Sequence, residues 1–329
     1  MKKFWGSPVV WPIAGLVVLT IINLGFNSAF LKITVLDGHL FGVPIDILNQ
    51  GARTLVLALG MTVVIATGGI DLSVGSVMAV SGATAAMLLS HGYGLSTAIV
   101  AALGSGIVAG LINGILVARA GIQPIVATLV LMVVGRGLAQ LMTGGDVVII
   151  KNPSFEYIGN GFLLALPFAA VLAVILYVAT HFGLRRTASG LFLEAVGDNP
   201  VASRFAGLPV ARITCLAYVA SGLCAAIAGI MATANIRAAD SYRVGENTEL
   251  DAIFAVVVGG TALTGGRFLL AGSFAGALLL QTLTQTMYYI GVPPAKATVP
   301  KAVLILAVCL IQSTRTRAWF SSLFKRRTA

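Results

Sequence analysis

About ten apolar runs, most of them near 20 residues long, follow one another along the chain. A helix needs about 20 apolar residues to cross a bilayer, whereas a membrane barrel strand shows a short alternating pattern. These runs are continuous and rich in Leu, Val, Ala and Gly, so they predict an all-α, polytopic membrane protein forming a single domain over residues 1–329. The predicted spans are residues 8–27, 51–67, 73–90, 96–118, 124–142, 162–182, 212–235, 248–261, 268–290 and 299–313.

The composition excludes a soluble protein. Apolar residues make up 58% of the chain, charged residues only 10%, and the mean hydropathy is +0.98, whereas soluble domains carry about 25% charged residues. A net charge of +10 would favour nucleic acid as the partner of a soluble protein, but here the cations gather at helix ends and at the termini. The cysteines lie in apolar runs and the histidines have no ligand spacing, so we expect no disulfide, metal or cofactor.

The distribution of basic residues predicts the orientation. With an even number of spans both termini lie on one side, and 13 of the 21 lysines and arginines then share that side with residues 183–212. Seven lie on the opposite side, and Arg136 lies within a span. Because cytoplasmic loops carry the excess of Lys and Arg, the termini and residues 183–212 are predicted to be cytoplasmic. The apolar run after the basic N-terminus is too long for a signal peptide, so we interpret it as a retained span.

Residues 183–212, the inner charged segment, form an island of both charge signs between two apolar runs. A bundle of spans needs no such segment for its own stability. Either a partner outside the membrane binds this segment, or the segment is a solvated connector between two spans. The chain contains no Gly-Lys pair and therefore no Walker phosphate loop, so an ATPase that used this segment would be a separate subunit.

Two stretches, residues 66–89 and 257–280, are weakly alike. In each, a helix is predicted to stop at a glycine pair, and a Gly- and Ala-rich helix follows a short polar loop. Broken helices in two halves of a chain often mark the pathway of a transporter. We therefore predict broken or short helices near 67–73 and 258–267.

Polar residues near or inside the spans are candidates for the substrate pathway. Asp71 and Ser73 precede the third predicted helix, where they either cap its free N–H groups or line the pathway. Arg136 and Gln140 lie one turn apart in the fifth span, where the arginine requires a carboxylate, a backbone carbonyl or a polyol as partner. The side-chain amides of Asn113 and Asn49 are suited to hydrogen bonds with the hydroxyl groups of a substrate. The alternative is that they form hydrogen bonds between helices.

Three stretches resemble the signature of permease subunits of ribose-type ATP-binding-cassette (ABC) sugar importers. They run from Ile47 to Gly82, from Leu193 to Leu208 and from Glu249 to Arg267. Further stretches that begin at Asp37, Ile122, Ser221 and Ile236, together with Phe268 after Gly265-Gly266-Arg267, are similar to the galactofuranose branch of that family.

The resemblance implies a subunit without catalysis of its own, in the bacterial inner membrane, for import of a monosaccharide such as galactofuranose or a similar furanose or pentose. It implies three partners: a second permease in a heterodimer or homodimer, a cytoplasmic ATP-binding subunit and a periplasmic sugar-binding protein. Within residues 191–208 it implies an ATPase-coupling role, which we assign to Glu194, Ala195, Gly197, Asn199 and Arg204.

Two other functional classes are open from the residues alone. A cation-coupled secondary transporter of a small polar solute would use a buried carboxylate, for which Asp71 is the candidate, but it would leave the inner charged segment without a role. A membrane enzyme would need a nucleophile and a base, and the chain has no HExxH or GxSxG motif.

Overall fold

The computed structural model describes residues 9–292, 299–303, 306 and 310. The helices in this part of the chain are α1 (Val10–Phe26), α2 (Val43–Ala66), α3 (Val74–Ser90), α4 (Leu95–Ala118), α5 (Pro124–Thr143), α6 (Pro153–Asn160), α7 (Phe168–Arg185), α8 (Ala188–Asp198), α9 (Pro200–Phe205), α10 (Val210–Ile236), α11 (Thr248–Val258) and α12 (Leu270–Tyr289). The strands are β1 (Thr34–Leu36), β2 (His39–Phe41), β3 (Val148–Ile149), β4 (Phe162–Leu163), β5 (Leu166–Pro167) and β6 (Ala238–Ala239).

The helical bundle confirms the predicted fold class. Nine predicted spans correspond to α1–α5, α7, α10, α11 and α12, and the tenth is helical at 299–303, 306 and 310, with its other residues outside the described part of the chain. Among the described residues, α2, α4, α5, α7 and α10 are long and apolar enough to cross a membrane, and α1 and α3 are shorter apolar helices. The strands form three antiparallel pairs, β1–β2, β3–β6 and β4–β5, in connections at one end of the bundle.

α2 and α10 form the centre of the bundle. In the most apolar 18-residue stretch of α2, 72% of the residues are buried. The buried fraction of the corresponding stretch is 28% in α4, 22% in α5 and 17% in α7. α4 packs on α10 through small residues: a Cβ at Gly106 would lie 2.3 Å from the carbonyl oxygen of Gly222. Such faces let helices approach closely in lipid, where little else drives their association. The exposed sides of α4, α5 and α7 are therefore the surfaces available to lipid or to a partner.

The start of α2 was predicted wrongly. The helix begins at Val43 rather than at residue 51, after Gly42 with φ of 145° and with Pro44 in its first turn. Asp46, Asn49 and Gln50 therefore lie within a helix. Their polarity lowers the hydropathy of this region, so a count of apolar residues places the boundary too late.

The two predicted helix breaks meet in space. α2 ends at Ala66 and α3 begins at Val74, while α11 ends at Val258 and α12 begins at Leu270. The backbone N–H of Gly266 in the second break donates to the carbonyl oxygen of Ala66 at 3.0 Å. Gly265, with φ of +88°, packs against Gly68 backbone atoms in the first break. The two breaks therefore form one joint.

Candidate functional site

A polar cavity of about 380 Å³ lies among α2, α3, α10, α11, α12 and the segment 237–247 that joins α10 to α11. Residues three, four or seven apart share a helix face, so α2 and α12 each present one continuous wall. A volume of this size lies within the range of small-molecule sites. The lining residues are Gln50, Arg53, Thr54, Leu57, Met78, Ala232, Ile236, Asp240, Arg243, Val244, Gly245, Thr248, Asp251, Gln281, Thr284 and Tyr288.

Charged groups of both signs face this polar cavity. Asp251 pairs with Lys301, with 3.0 Å between Oδ2 and Nζ. Asp240 Oδ1 accepts two backbone N–H groups of its own turn at 3.0 Å. In the described part of the chain, the guanidinium groups of Arg53 and Arg243 have no hydrogen-bond or ion-pair partner. Their N–H groups are therefore available to a polar ligand, and Arg53 presents them from within the bundle, where an unpaired polar group is costly.

Arg136 holds the cavity-lining segment in place. Its Nη1 donates to the carbonyl oxygens of Val244 at 2.7 Å and Ser241 at 2.9 Å, with Tyr242 at 3.4 Å. Of the partners predicted for this arginine, the structure provides backbone carbonyls. Arg136 therefore fixes the turn that carries Arg243 and Asp240 into the cavity.

Two backbones touch where segment 237–247 reaches α3. A Cβ at Gly75 would lie 2.2 Å from the carbonyl oxygen of Gly245, and a Cβ at Gly245 would lie 2.1 Å from that of Gly75. Gly245 also has φ of +73°, which side-chain-bearing residues rarely adopt. Since Gly75 lies in the first turn of α3, the segment runs back alongside that helix rather than crossing the end of the bundle.

Asp71, Ser73 and Asn113 meet in a buried polar cluster. Asp71 Oδ1 accepts from Ser73 Oγ at 2.6 Å and from the Ser73 backbone N–H at 3.0 Å, and Oδ2 accepts from Ser221 Oγ at 2.8 Å. Asn113 Nδ2 donates to Ser73 Oγ at 2.9 Å and lies 3.4 Å from Asp71 Oδ1. Asp71 is 1% exposed. Three of the six predicted pathway residues thus lie together, but this buried cluster ties the start of α3 to α4 and α10 and is separate from the polar cavity.

The other predicted pathway residues lie elsewhere. Gln140 joins Arg136, Glu246 and Glu249 around a second cavity of about 480 Å³ beside α5. Asn49 is half-buried on α2, next to Gln50. The six residues therefore do not form one site.

Gly197 in the inner charged segment contacts both helix breaks. A Cβ at this position would lie 1.8 Å from the carbonyl oxygen of Ala66 and 2.4 Å from the backbone nitrogen of Gly266. Gly197 lies in α8, one residue before that helix ends. α8 therefore packs directly on the joint between the two breaks, without an intervening side chain.

The other residues assigned to ATPase coupling also have defined places in the structure. Glu194 Oε1 lies 3.1 Å from Arg185 Nη1, and the Arg185 guanidinium also stacks over the Phe268 ring at 4.6 Å from its centroid. Asn199 Oδ1 accepts the N–H groups of the first turn of α9 at 2.9 and 3.1 Å, so it caps that helix. Ala195 is exposed, and its carbonyl oxygen accepts from Ser203 Oγ at 2.8 Å. Arg204 is exposed and lines a groove beside α4 and α10.

Sequence reasoning missed most of the lining of the polar cavity. The count of basic residues placed Arg53 and Arg243 on the outer face, and Gln50, Asp240 and Asp251 were not selected. One signal was present: Gln50, Arg53 and Leu57 have the 0, 3, 7 spacing of a helix face, which would have extended the predicted span back to include Gln50.

Comparisons with known proteins show the family of the chain. Residues 43–308 match the family described as "Branched-chain amino acid transport system / permease component". The chain is 49% identical over 321 residues to the galactofuranose transporter permease of Escherichia coli K12, covering 98% of this chain and 93% of that protein. It is 39% identical over 333 residues to the fructose import permease of Bifidobacterium longum, covering 99% and 94% of the two chains.

A third relative is the ribose import permease of Escherichia coli K12, 36% identical over 274 residues, which cover 82% of this chain and 85% of that protein. No solved structure matches the chain. Permease components are transport subunits rather than enzymes, and they work with ATP-binding and substrate-binding components. This chain belongs to that permease family, as a multi-pass protein of the inner membrane.

Proposed function

We propose that this chain is the membrane-spanning subunit of an ATP-driven importer for a monosaccharide, galactofuranose or a similar furanose or pentose. The observation that carries this proposal is the polar cavity, whose lining includes two guanidinium groups that have no hydrogen-bond or ion-pair partner among the described residues. The relatives named for galactofuranose, fructose and ribose support a sugar as the substrate.

The chemistry of the polar cavity fits a polyol. Each sugar hydroxyl donates one hydrogen bond and accepts others, so it needs donors and acceptors in its surroundings. Arg53 and Arg243 supply donors, Asp240 supplies an acceptor, and Gln50 and Gln281 supply both. A branched aliphatic side chain would leave these groups unpaired at a cost of about 1–3 kcal/mol each.

The joint between the helix breaks supports alternating access. In our proposal, ATP-driven closure of the ATP-binding subunits pushes on residues 191–208, and α8 transmits the push through Gly197 to Ala66 and Gly266. α2 and α11 both end at this joint, and both line the polar cavity. A displacement of α8 therefore reaches two walls of the cavity directly.

The assembly we propose contains a second permease, identical or related, a cytoplasmic ATP-binding subunit and a periplasmic sugar-binding protein. Both termini and the inner charged segment face the cytoplasm. The distribution of lysines and arginines, 13 against seven with Arg136 in a span, supports this orientation.

Replacing Arg53 by glutamine is expected to raise the KM for uptake of the sugar about 10- to 100-fold, since a charged donor contributes roughly 1.5–3 kcal/mol per hydrogen bond. Folding should be unaffected, because the Arg53 side chain has no hydrogen-bond or ion-pair partner among the described residues. Uptake of labelled galactofuranose by cells with the complete importer measures the change. The matched control is Arg237→Gln, which breaks a partly exposed pair with Glu156 and should change the KM less than about twofold. An unchanged KM in Arg53→Gln would show that the polar cavity is not part of the substrate pathway.

Cysteines at two exposed positions test the orientation. Val201 in α9 is 63% exposed, and Ser154 in α6 is also exposed. With the native cysteines replaced, Val201→Cys is expected to react with a membrane-impermeant maleimide only in inside-out vesicles, and Ser154→Cys only in intact spheroplasts. Ser203 is unsuitable, because it is 6% exposed and bonded to the Ala195 carbonyl. Labelling of both cysteines from the same side would contradict the proposed topology.

A further inference from the structure

An open groove of about 640 Å³ lies between the end of α4 and the start of α10, far from the polar cavity. Its apolar part contains Leu111 and Ile115 on α4 and Leu216 on α10, which are 43%, 40% and 66% exposed. Its charged part contains Arg119, Arg204 and Arg212. The groove thus has a cationic end that continues into an apolar strip along two membrane-spanning helices.

Within the described part of the chain, the three arginines lack internal counter-charges. None of the described residues that line the groove is acidic, and the three side chains make no ion pair or hydrogen bond with other described residues. All three are exposed. Arg212 lies in the first turn of α10, where the helix dipole disfavours a cation. An anion beside these side chains would offset both their mutual repulsion and the unfavourable position of Arg212.

We propose that this groove binds an anionic phospholipid. The phosphodiester accepts hydrogen bonds from Arg119, Arg204 and Arg212, since guanidinium groups pair with phosphate through parallel N–H donors. The acyl chains lie along Leu111, Ile115 and Leu216. Basic pockets at the membrane boundary between helices recognise lipid headgroups in this way.

The shape of the groove distinguishes a lipid from a soluble partner. Leu111 and Ile115 are one turn apart on α4 and belong to its candidate span, so the apolar strip runs into the depth of the membrane. A cytoplasmic subunit would contact the arginines but would leave this strip uncovered. The inference requires only that α4 and α10 span the membrane, so it is independent of the substrate and of the direction of transport.

Competition between two lipids tests the proposal. The full-length permease, purified in mild detergent, is incubated with equimolar phosphatidylglycerol and phosphatidylcholine, and retained lipids are counted by native mass spectrometry. The wild type is expected to retain phosphatidylglycerol preferentially. The double variant Arg119→Gln/Arg212→Gln should lose this preference by about fivefold for each arginine removed. The matched control Arg186→Gln removes an exposed arginine outside the groove and should retain the preference.

A photoreactive phosphatidylglycerol gives a test that needs no variant. If its acyl chain carries the reactive group, wild-type protein should be crosslinked on α4 and α10 around Leu111 and Leu216. Crosslinks confined to other helices would overturn the proposal. An equal loss of preference in Arg186→Gln would also overturn it, by showing a general effect of charge. The proposal would likewise be overturned if the double variant no longer bound a partner subunit while its lipid preference was unchanged.

Discussion

Replacing Gly197 by alanine is expected to lower sugar uptake by about 10- to 100-fold, because the new Cβ overlaps the carbonyl oxygen of Ala66 and the backbone nitrogen of Gly266. Both atoms belong to the backbone, so no flexible side chain can move aside. α8 must shift away from the joint between the helix breaks. Coupling is reciprocal, and stimulation of ATP hydrolysis by sugar-loaded binding protein should therefore fall as well. Uptake in cells and ATPase activity in proteoliposomes measure the two effects.

Gly183→Ala is the matched control for this variant. Gly183 belongs to α7 in the same inner charged segment, and a Cβ there would meet no atom within 4 Å. Uptake should stay within about twofold of the wild type, since alanine is a better helix former than glycine. Normal uptake and normal ATPase stimulation in Gly197→Ala would contradict the proposed route of coupling. A variant that inserts in the membrane and assembles but does not transport would support it.

Replacing Asp71 by alanine is expected to lower the free energy of unfolding by about 3 kcal/mol, since the two serine hydroxyls and the Ser73 N–H that now bond to the carboxylate lose their acceptor. Asp71→Asn should cost less, because its amide oxygen still accepts and the serine hydroxyls can turn to accept from its NH₂ group. Denaturation of the purified protein in mixed micelles, followed by circular dichroism, measures both changes. Asp146→Ala, which changes an exposed aspartate, should stay within about 0.5 kcal/mol.

Uptake by the Asp71 variants separates ATP-driven transport from cation coupling. A structural carboxylate predicts that Asp71→Asn keeps most of its transport. A carboxylate that carries a proton or sodium ion predicts that this substitution abolishes both uptake and the accompanying current. The second outcome would contradict the ATP-driven mechanism.

Helices and their breaks were predictable from the sequence because both depend on local chemistry. Apolar runs specify spans through the cost of exposing backbone polar groups to lipid. The pairs Gly68-Gly69 and Gly259-Gly260 end helices, and the structure has the breaks at these pairs. Which break contacts which depends on long-range packing, so the joint of Ala66, Gly197 and Gly266 could not be inferred.

The polar cavity was not predictable from hydropathy. The polar side chains that line it, such as Gln50 and Arg53, lower the apolar count of α2 and resemble a loop. Segment 237–247 is polar for the same reason, and its contacts with Arg136 and Gly75 bring it back into the bundle. A substrate pathway must be polar, so the residues that form it are those that a search for apolar spans discards.

The coupling residues illustrate a different limit. Glu194 and Asn199 were assigned to contact with an ATPase. However, Glu194 pairs with Arg185 and Asn199 caps α9, so both side chains already contribute to the fold of the segment. Sequence patterns indicate that polar residues are present, not which partner each one uses. Exposed atoms of α8 and α9, including those of Ala195, are the surface that remains for a partner.

The backbone contact between Gly75 and Gly245 limits how this transporter can acquire a new substrate. Neither glycine has room for a methyl group, so the side of the polar cavity formed by Val244 and Gly245 cannot be reshaped by substitution at these glycines. If the polar cavity is the substrate site, as we propose, changes of sugar preference are expected on the walls formed by α2 and α12, at Gln50 and Thr54 or at Gln281 and Thr284. A library that randomises these four positions is the direct route to a permease with altered specificity.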